Sequence, residues 1–412
     1  MTAVDAQMLW MSAVIPNDQF LLYAFAGSPG DVDGAVAELR SRAQACDELR
    51  LRVADDGWWR YPRWGRAEVG SGQFVVHHTE GMDWQGCLRA IVELGGEQLD
   101  LYRMAWRAHV FPRVLGVPGR TGDGSVIVVQ MGHAFADNNR GAALCGALLG
   151  RDRPVPIPVA ARRGFLPALG FSAALAHRML VRDTEAGLVP GPPAGCPVRS
   201  INRRPNGTPA VRTLTLHRDR LAGPTVTIAS LVAIGEAMAG YLAGHGEEPS
   251  RLGAEVPMAC MLNPAGHNNF RNVGIALHPD VGPARRAELI AAELSAQRRR
   301  GRHPAMRASA AASAAIPAPL LRWGVRHFDP DARSETVTGN TVVSSVNRGP
   351  ADLSFGGFPV ALTAGYPALS PMMSLTHGVH GIGDTIAISV HADSDNVDID
   401  DYWDRLQAAL PG

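Results

Sequence analysis

His133 and Asp137 stand four residues apart in Gly-His-Ala-Phe-Ala-Asp-Asn, residues 132–138. Imidazole takes and returns a proton near neutrality, so His133 is a candidate general base. An acid four residues on can fold the loop back and fix the ring by bonding neighbouring groups. Val126–Met131 before the pair is apolar and rich in β-branched residues, which predicts a buried strand. Arg140–Leu149 after it is small and apolar, which predicts a helix with Asn138 and Asn139 in front as caps. A polar pair between a core strand and a core helix is costly unless it has partners. That context singles out this pair, since His-x-x-x-Asp alone arises by chance in many chains.

Other candidates fall away. His77 and His78 lie on the predicted strand Gln73–His78, so their side chains point to opposite faces, and no acid follows four residues beyond either. The five cysteines are far apart, with no Cys-x-x-Cys spacing, so neither a zinc site nor a disulfide framework is indicated. Reduced thiols in a cytoplasmic protein are the simplest account. No phosphate-binding G-x-x-x-x-G-K-[ST] or G-x-S-x-G elbow occurs, and Gly378–Gly383 does not follow a predicted strand and open a helix.

The chain that must position the pair has 412 residues, too long for one core, so two lobes are expected. Thirty-nine basic residues, all Arg, balance 39 acidic ones, which gives no electrostatic reason to expect nucleic acid. The N-terminus carries an acid where a signal peptide needs positive charge. No long apolar run escapes a charge or breaker; Gly164–Val181 comes nearest and is expected to be a buried helix rather than one resting on a membrane.

Strands are predicted at Gln19–Gly27, Gln73–His78, Ala210–Leu216, Glu255–Leu262, Thr341–Val346 and Thr385–His391. Helices are predicted at Val32–Ala45, Trp84–Leu94, Thr227–Leu242 with Thr227 as cap, Pro283–Arg300 and Asp400–Leu410. Asn263–Asn272 reads as a polar loop, and Arg298–Arg300 as a solvated helix end. Pro-rich Arg151–Pro158 and Val189–Pro197 mark a crossover. The expected division is therefore a lobe over 1–150, a linker over 151–205 and a lobe over 206–412. Strands and helices mix without strict alternation, which favours a duplicated α/β two-layer sandwich over a doubly wound sheet.

Several stretches, in order, resemble the bacterial wax ester synthase/acyl-CoA:diacylglycerol acyltransferase (WS/DGAT) family, within the wider group of CoA-dependent acyltransferases and condensation domains. Val4–Leu9 looks like the opening D-x-x-F-L, and Leu99–Trp106 is similar to L-D-x-x-R-P-L-W. Gly132–Asn138 lines up with H-H-x-x-x-D-G, and Ser200–Arg204 with an L-N-…-R segment. Ser344–Pro350 resembles the S-N-V-x-G-P loop, and Tyr366-Pro367 with Ser370-Pro371 the Y-P-x-x-P run. Gly132 stands where the family has its first His, Asn138 where it has Gly, Thr227-Ile228 where it has Asn-Asp, and Ser345 near the Asn of the loop.

The resemblance implies two chloramphenicol-acetyltransferase-like sandwich lobes with a substrate tunnel between them. It makes His133 the base and Asp137 a structural clamp, with Gly132, Asn138, Ser345, Asn347 and Gly349 at the substrate. It implies acyl-CoA as co-substrate, no cofactor or metal, and an alcohol or diacylglycerol as acceptor. A cytoplasmic protein, touching the inner membrane face or a lipid droplet, is expected. Two alternatives stay open: a condensation-type acyltransferase of secondary metabolism with another acceptor or a carrier-protein donor, and a non-catalytic acyl-binding homologue. The bare Gly132 is expected to leave the pocket wider or filled from elsewhere, and the double change Gly132→His with Asn138→Gly is expected to be tolerated in folding and to shift acceptor preference towards long-chain alcohols or diacylglycerol. Asn138 is expected to suit a left-handed backbone if the position needs one.

Overall fold

A computed structural model describes residues 1–54, 57–159, 166–221 and 223–410. Two six-stranded sheets carry the architecture. In order across the first run Ser354–Phe355, Phe358–Gly365, Gln19–Phe25, Asp123–Met131, Trp106–Leu115 and Phe74–Val76. The second holds Phe270–Ala276, Gly253–Ala259, Thr341–Asn347, Leu375–Ile382, Thr385–Asp393 and Pro209–His217.

The predicted strand before His133 is central in the first sheet. Gln19 pairs with Met131 on one side and Trp106 pairs with Met131 on the other, both antiparallel. Its side chains alternate between two cores, which is why the run is apolar throughout rather than every second residue. Ile127, Val129 and Met131 pack with Leu144, Cys145 and Leu148 of the helix Asn138–Leu148. Val126 and Val128 face Trp84, Cys87, Leu88 and Ile91 of the helix Trp84–Leu94, and that core continues into the second sheet through Val211 and Ala387.

The 206–412 stretch does not stay in one lobe. Phe358–Gly365 leaves the second half to pair with Gln19–Phe25 in the first sheet, Leu21 opposite Gly365. This exchange ties the lobes through backbone hydrogen bonds. Leu375–Ile382, buried along its whole length, then returns to the second sheet parallel to Thr341–Asn347.

Val32–Ala45 and Trp84–Leu94 are helices with the expected bounds, and Pro283–Gly301 and Ile399–Ala409 fall within one residue of theirs. The long apolar helix is Val226–Gly244, and Thr225, not Thr227, caps it by accepting from the Ile228 N–H at 3.2 Å. It is the one described helix long and apolar enough to cross a bilayer, with 61% of its apolar window buried in the second lobe. The expected loop Asn263–Asn272 contains the start of a strand, Phe270–Ala276, because Val273 and Ile275 alternate inward against the long helix. The stretch beginning at Gly164 corrects differently. Its first two residues lie outside the described ones, and Leu166–Glu185 is a surface helix with only Leu180 buried.

Candidate active site

The loop 132–137 is short because the strand ends at Met131 and the helix begins at Asn138. Asp137, not Asn138 or Asn139, caps that helix: one carboxylate oxygen accepts from the Arg140 N–H at 2.8 Å. The other oxygen accepts from the Asn269 N–H of the second lobe, also at 2.8 Å. The Asp137 N–H donates to the His267 carbonyl at 3.2 Å. The acid is thus spent on holding the loop to the facing lobe, with no contact to the His133 ring.

Asn268 makes that contact. His133 Nδ1 lies 3.0 Å from Asn268 Oδ1. The orientation of this amide is decided by its other end, since Asn268 Nδ2 donates to the His133 carbonyl at 3.0 Å and to Asp5 Oδ1 at 3.0 Å. A backbone carbonyl can only accept, so Oδ1 must face the ring and Nδ1 must carry the proton. Nε2 is left with its lone pair. Burial pushes the His133 pKa below its ordinary value, opposed by hydrogen bonding, by Asn268 and by the nearby carboxylates of Asp137 and Asp5. The ring is therefore neutral at physiological pH, the form a base requires.

Asp5, the acid of the opening motif, supports this arrangement from the other side. It is buried, takes the Thr2 hydroxyl at 2.8 Å, and receives the backbone N–H groups of His267 and Asn268 at 3.1 Å each. Burial raises its pKa, and these hydrogen bonds oppose the shift. His267 stacks on Trp64 with ring centres 4.7 Å apart, and burial drives its pKa down to about 2. The sequence reading missed Asn268 because its partner lies 135 positions away. Asp5 was visible only as a motif letter without a role.

His133 opens on a niche of about 110 Å³, lined also by Asp137, Asn138, Asn139, Phe270 and Ser345. Phe270 stacks on the imidazole at 5.4 Å. The niche shares Asp137, Asn139, Pro257, Ala259 and Ser345 with a larger cleft of about 840 Å³ between the lobes.

Ser345 lies 2.7 Å from the hydroxyl of Thr227. Two hydroxyls own two protons and need only one for the bond between them, so one O–H stays free to donate. Thr227 and Ser345 are two of the second-lobe positions where the chain departs from the motifs it resembles, and they meet. Asn138 donates from its amide to Ser344 Oγ at 3.0 Å, so it bridges the lobes. Its backbone is not left-handed: Arg251 and His278 are the described non-glycine residues with positive φ.

Gly132, Asn347 and Gly349 line neither cavity. A Cβ on Gly132 would lie 2.4 Å from Leu101 Cδ1, and Leu101 is itself buried beside Leu9, Val53 and Leu99. The space is filled from elsewhere, the second of the two expected arrangements, so a larger residue at this position requires the Leu101 side chain to move. Asn347 accepts from the Gly349 N–H at 2.9 Å in a turn where Gly349 has φ +92°. That turn needs glycine for its backbone. Among the described residues no group of three or more His, Cys, Asp or Glu is placed to hold a metal ion.

The His77 ring, expected to be structural, stacks on Phe111 at 4.3 Å and meets His109 at 3.1 Å, apart from this site.

Residues 268–411 match the family described as WS/DGAT C-terminal domain. No curated protein sequence is a significant match. Among solved structures, the wax ester synthase/diacylglycerol acyltransferase from Marinobacter aquaeolei VT8 aligns with a TM-score of 0.60 at 16% identity, covering 99% of this chain and 96% of that one. A variant of the starter condensation domain of rhizomide synthetase, in complex with C8-CoA, aligns at 0.58 and 14%, over 99% and 92%. The first condensation domain of the calcium-dependent antibiotic synthetase, in complex with a substrate analogue, gives 0.57 and 16%, over 99% and 94%. At such identities the likeness establishes the fold, the chloramphenicol-acetyltransferase-like architecture expected from the sequence.

Proposed function

Taking as premise that the chain belongs, by its C-terminal domain, to the WS/DGAT family within the condensation-like group, we propose that it is an O-acyltransferase. It moves a fatty acyl group from acyl-CoA to the hydroxyl of an alcohol or diacylglycerol. One observation carries this reading: His133 has its Nδ1 committed to Asn268, and its ring lines a niche that shares five lining residues with a cleft between the lobes.

A thioester carbonyl is already electrophilic, so no enzyme nucleophile is needed. His133 Nε2 takes the proton of the acceptor hydroxyl as its oxygen attacks the carbonyl carbon. The free hydroxyl proton of the Thr227–Ser345 pair donates to the oxyanion that forms. The C–S bond then breaks, and the leaving thiolate takes the proton back from His133. The ester and free CoA result, with no net proton change. Asn268 holds the tautomer and Asp137 holds the loop. The partly buried niche limits the water that could hydrolyse the thioester.

A lipid acceptor has to be reached at an interface. Phe171, Leu175 and Met179 recur every fourth residue on the surface helix Leu166–Glu185, 74%, 52% and 52% exposed. Such a stripe suits the boundary of a bilayer or lipid droplet on the cytoplasmic side.

The test is purified protein with labelled palmitoyl-CoA and a panel of acceptors: hexadecanol, diacylglycerol, a short polar alcohol and an amine. Ester with stoichiometric CoA release is expected for a long-chain alcohol or diacylglycerol. Amide as the main product moves the chain to condensation chemistry. No product and no CoA release, with palmitoyl-CoA still bound, makes it an acyl-binding homologue.

A further inference from the structure

The cleft has one wall that acyl transfer does not account for. Arg298, Arg302 and Arg307 are exposed, line the 840 Å³ cleft, and form no ion pair or side-chain hydrogen bond among the described residues. Their neighbours are engaged. Arg300 donates to the Pro190 carbonyl at 2.7 Å, and Arg299 to Ser295 Oγ at 3.4 Å. Arg271, also in the cleft, donates to the Gln297 carbonyl. The Arg298–Arg300 run, read from the sequence as a solvated helix end, therefore divides: one residue anchors the chain and another faces the cavity.

The plain alternative is helix-dipole compensation. It suits Arg298 in the last turn of the helix Pro283–Gly301, and Arg302 just beyond it. It fails for Arg307, which lies in the first turns of the next helix, Pro304–Ala314, where the dipole disfavours a cation. Nor does the cleft supply a counter-charge. Its one lining carboxylate is Asp137, whose two oxygens are both taken by backbone N–H groups. Three free guanidinium groups on a cavity whose one lining carboxylate is already held by backbone N–H groups make a site for a polyanion.

We propose that Arg298, Arg302 and Arg307 receive the phosphates at the nucleotide end of the acyl donor, so that the thioester enters from this rim and reaches His133 through the shared lining residues. This deepens the acyltransferase reading and rests on it. The charge count favours the donor's source. Coenzyme A carries a pyrophosphate and a 3′-phosphate, several charges close together, whereas a carrier protein's phosphopantetheine presents a single phosphodiester.

Binding is tested apart from chemistry. Calorimetry with CoA itself is run on the wild type and on Arg298→Ala, Arg302→Ala and Arg307→Ala, singly and combined. Each exposed contact is expected to contribute about 2- to 5-fold, and the triple variant to weaken CoA binding about 10- to 100-fold. Pantetheine, which lacks the phosphates, serves as the comparison ligand. Added salt should weaken CoA binding in the wild type and have much less effect in the triple variant. With palmitoyl-CoA and palmitoyl-pantetheine as donors, the ratio of their kcat/KM values should fall towards one in the triple variant.

Unchanged CoA affinity in the triple variant overturns the proposal, as does an equal loss for pantetheine. A wild-type preference for palmitoyl carrier protein over palmitoyl-CoA overturns the choice of donor. A protein that binds CoA in this arginine-dependent way but acylates nothing retains the rim and refutes the transfer reading instead.

Discussion

His133 and His377 are both deeply set imidazoles, and burial lowers the pKa of each, His377 to about 3. What surrounds the second nitrogen separates them. His377 spans two hydroxyls, with Nδ1 2.8 Å from Thr341 Oγ1 and Nε2 2.6 Å from the Tyr402 hydroxyl, inside the second lobe's core. His133 has one nitrogen held by an amide, no hydrogen-bond partner for the other among the described residues, and a place in the lining of a cavity between the lobes. Burial favours the neutral form of both rings, but only a ring with a free lone pair beside open space can serve as a base. His377 works as a polar strut between a strand and the C-terminal helix.

His133→Ala is expected to lower acyl transfer by about 10²-fold or more, the usual loss for a general base, with little change in melting temperature. His377→Ala should do the reverse. It leaves the Tyr402 hydroxyl buried without its partner and opens a cavity, costing about 2–4 kcal/mol of stability, while activity per folded molecule stays near wild type. Rates measured alongside melting curves decide it. Equal activity losses in the two variants would remove the distinction.

How much of this was legible beforehand follows from the range of the interactions. The strand–His–helix unit is local, so the two apolar runs exposed it, although the cap is Asp137 and not Asn138 or Asn139. Asp137 was identifiable as a clamp, although its partner in the facing lobe was not. Asn268 was hidden in what reads as a polar loop, because only the packing of the two lobes brings 268 to 133. The strand Phe358–Gly365 was not among those predicted, and even a recognised strand does not tell which sheet it joins. Gly132 left two readings open, a wider pocket or space filled from elsewhere, and only the fold could choose: Leu101 comes from a separate segment to fill it.

Asn268→Ala sharpens the contrast at smaller scale. Losing a hydrogen bond that strengthens as the ring becomes charged should reduce kcat about 10- to 100-fold. Asn268 favours the protonated ring, so removing it should also move the acid limb of the rate profile to lower pH. In the wild type that limb should already lie below the ~6.5 of free imidazole, because burial disfavours the charged form. A purely structural asparagine would lower kcat and leave the limb where it was. The full kcat/KM profile distinguishes the two roles.

The smallest effect concerns a second buried network that includes neither ring, which tests whether burial alone leaves a pH signature. Asp18 is buried, and one of its oxygens accepts from the Leu99 N–H and from Gln130 Nε2, each at 2.7 Å. The other oxygen has no partner. Burial raises the Asp18 pKa from 3.8 to about 6, against the pull of these hydrogen bonds and of Arg107. Because the folded value lies above the unfolded one, the folded state binds the proton more tightly. The resulting stability is fully present below pH 3.8 and is lost as the pH rises through about 6. Asp18→Asn removes that titration, so the stability difference between mutant and wild type should shift in the mutant's favour as pH rises from about 4 to 7. By linkage the shift is at most about 3 kcal/mol, and less if water reaches the free oxygen. Melting temperatures of both proteins across that range are the measurement, and a constant difference would show that Asp18 stays ionised in the fold.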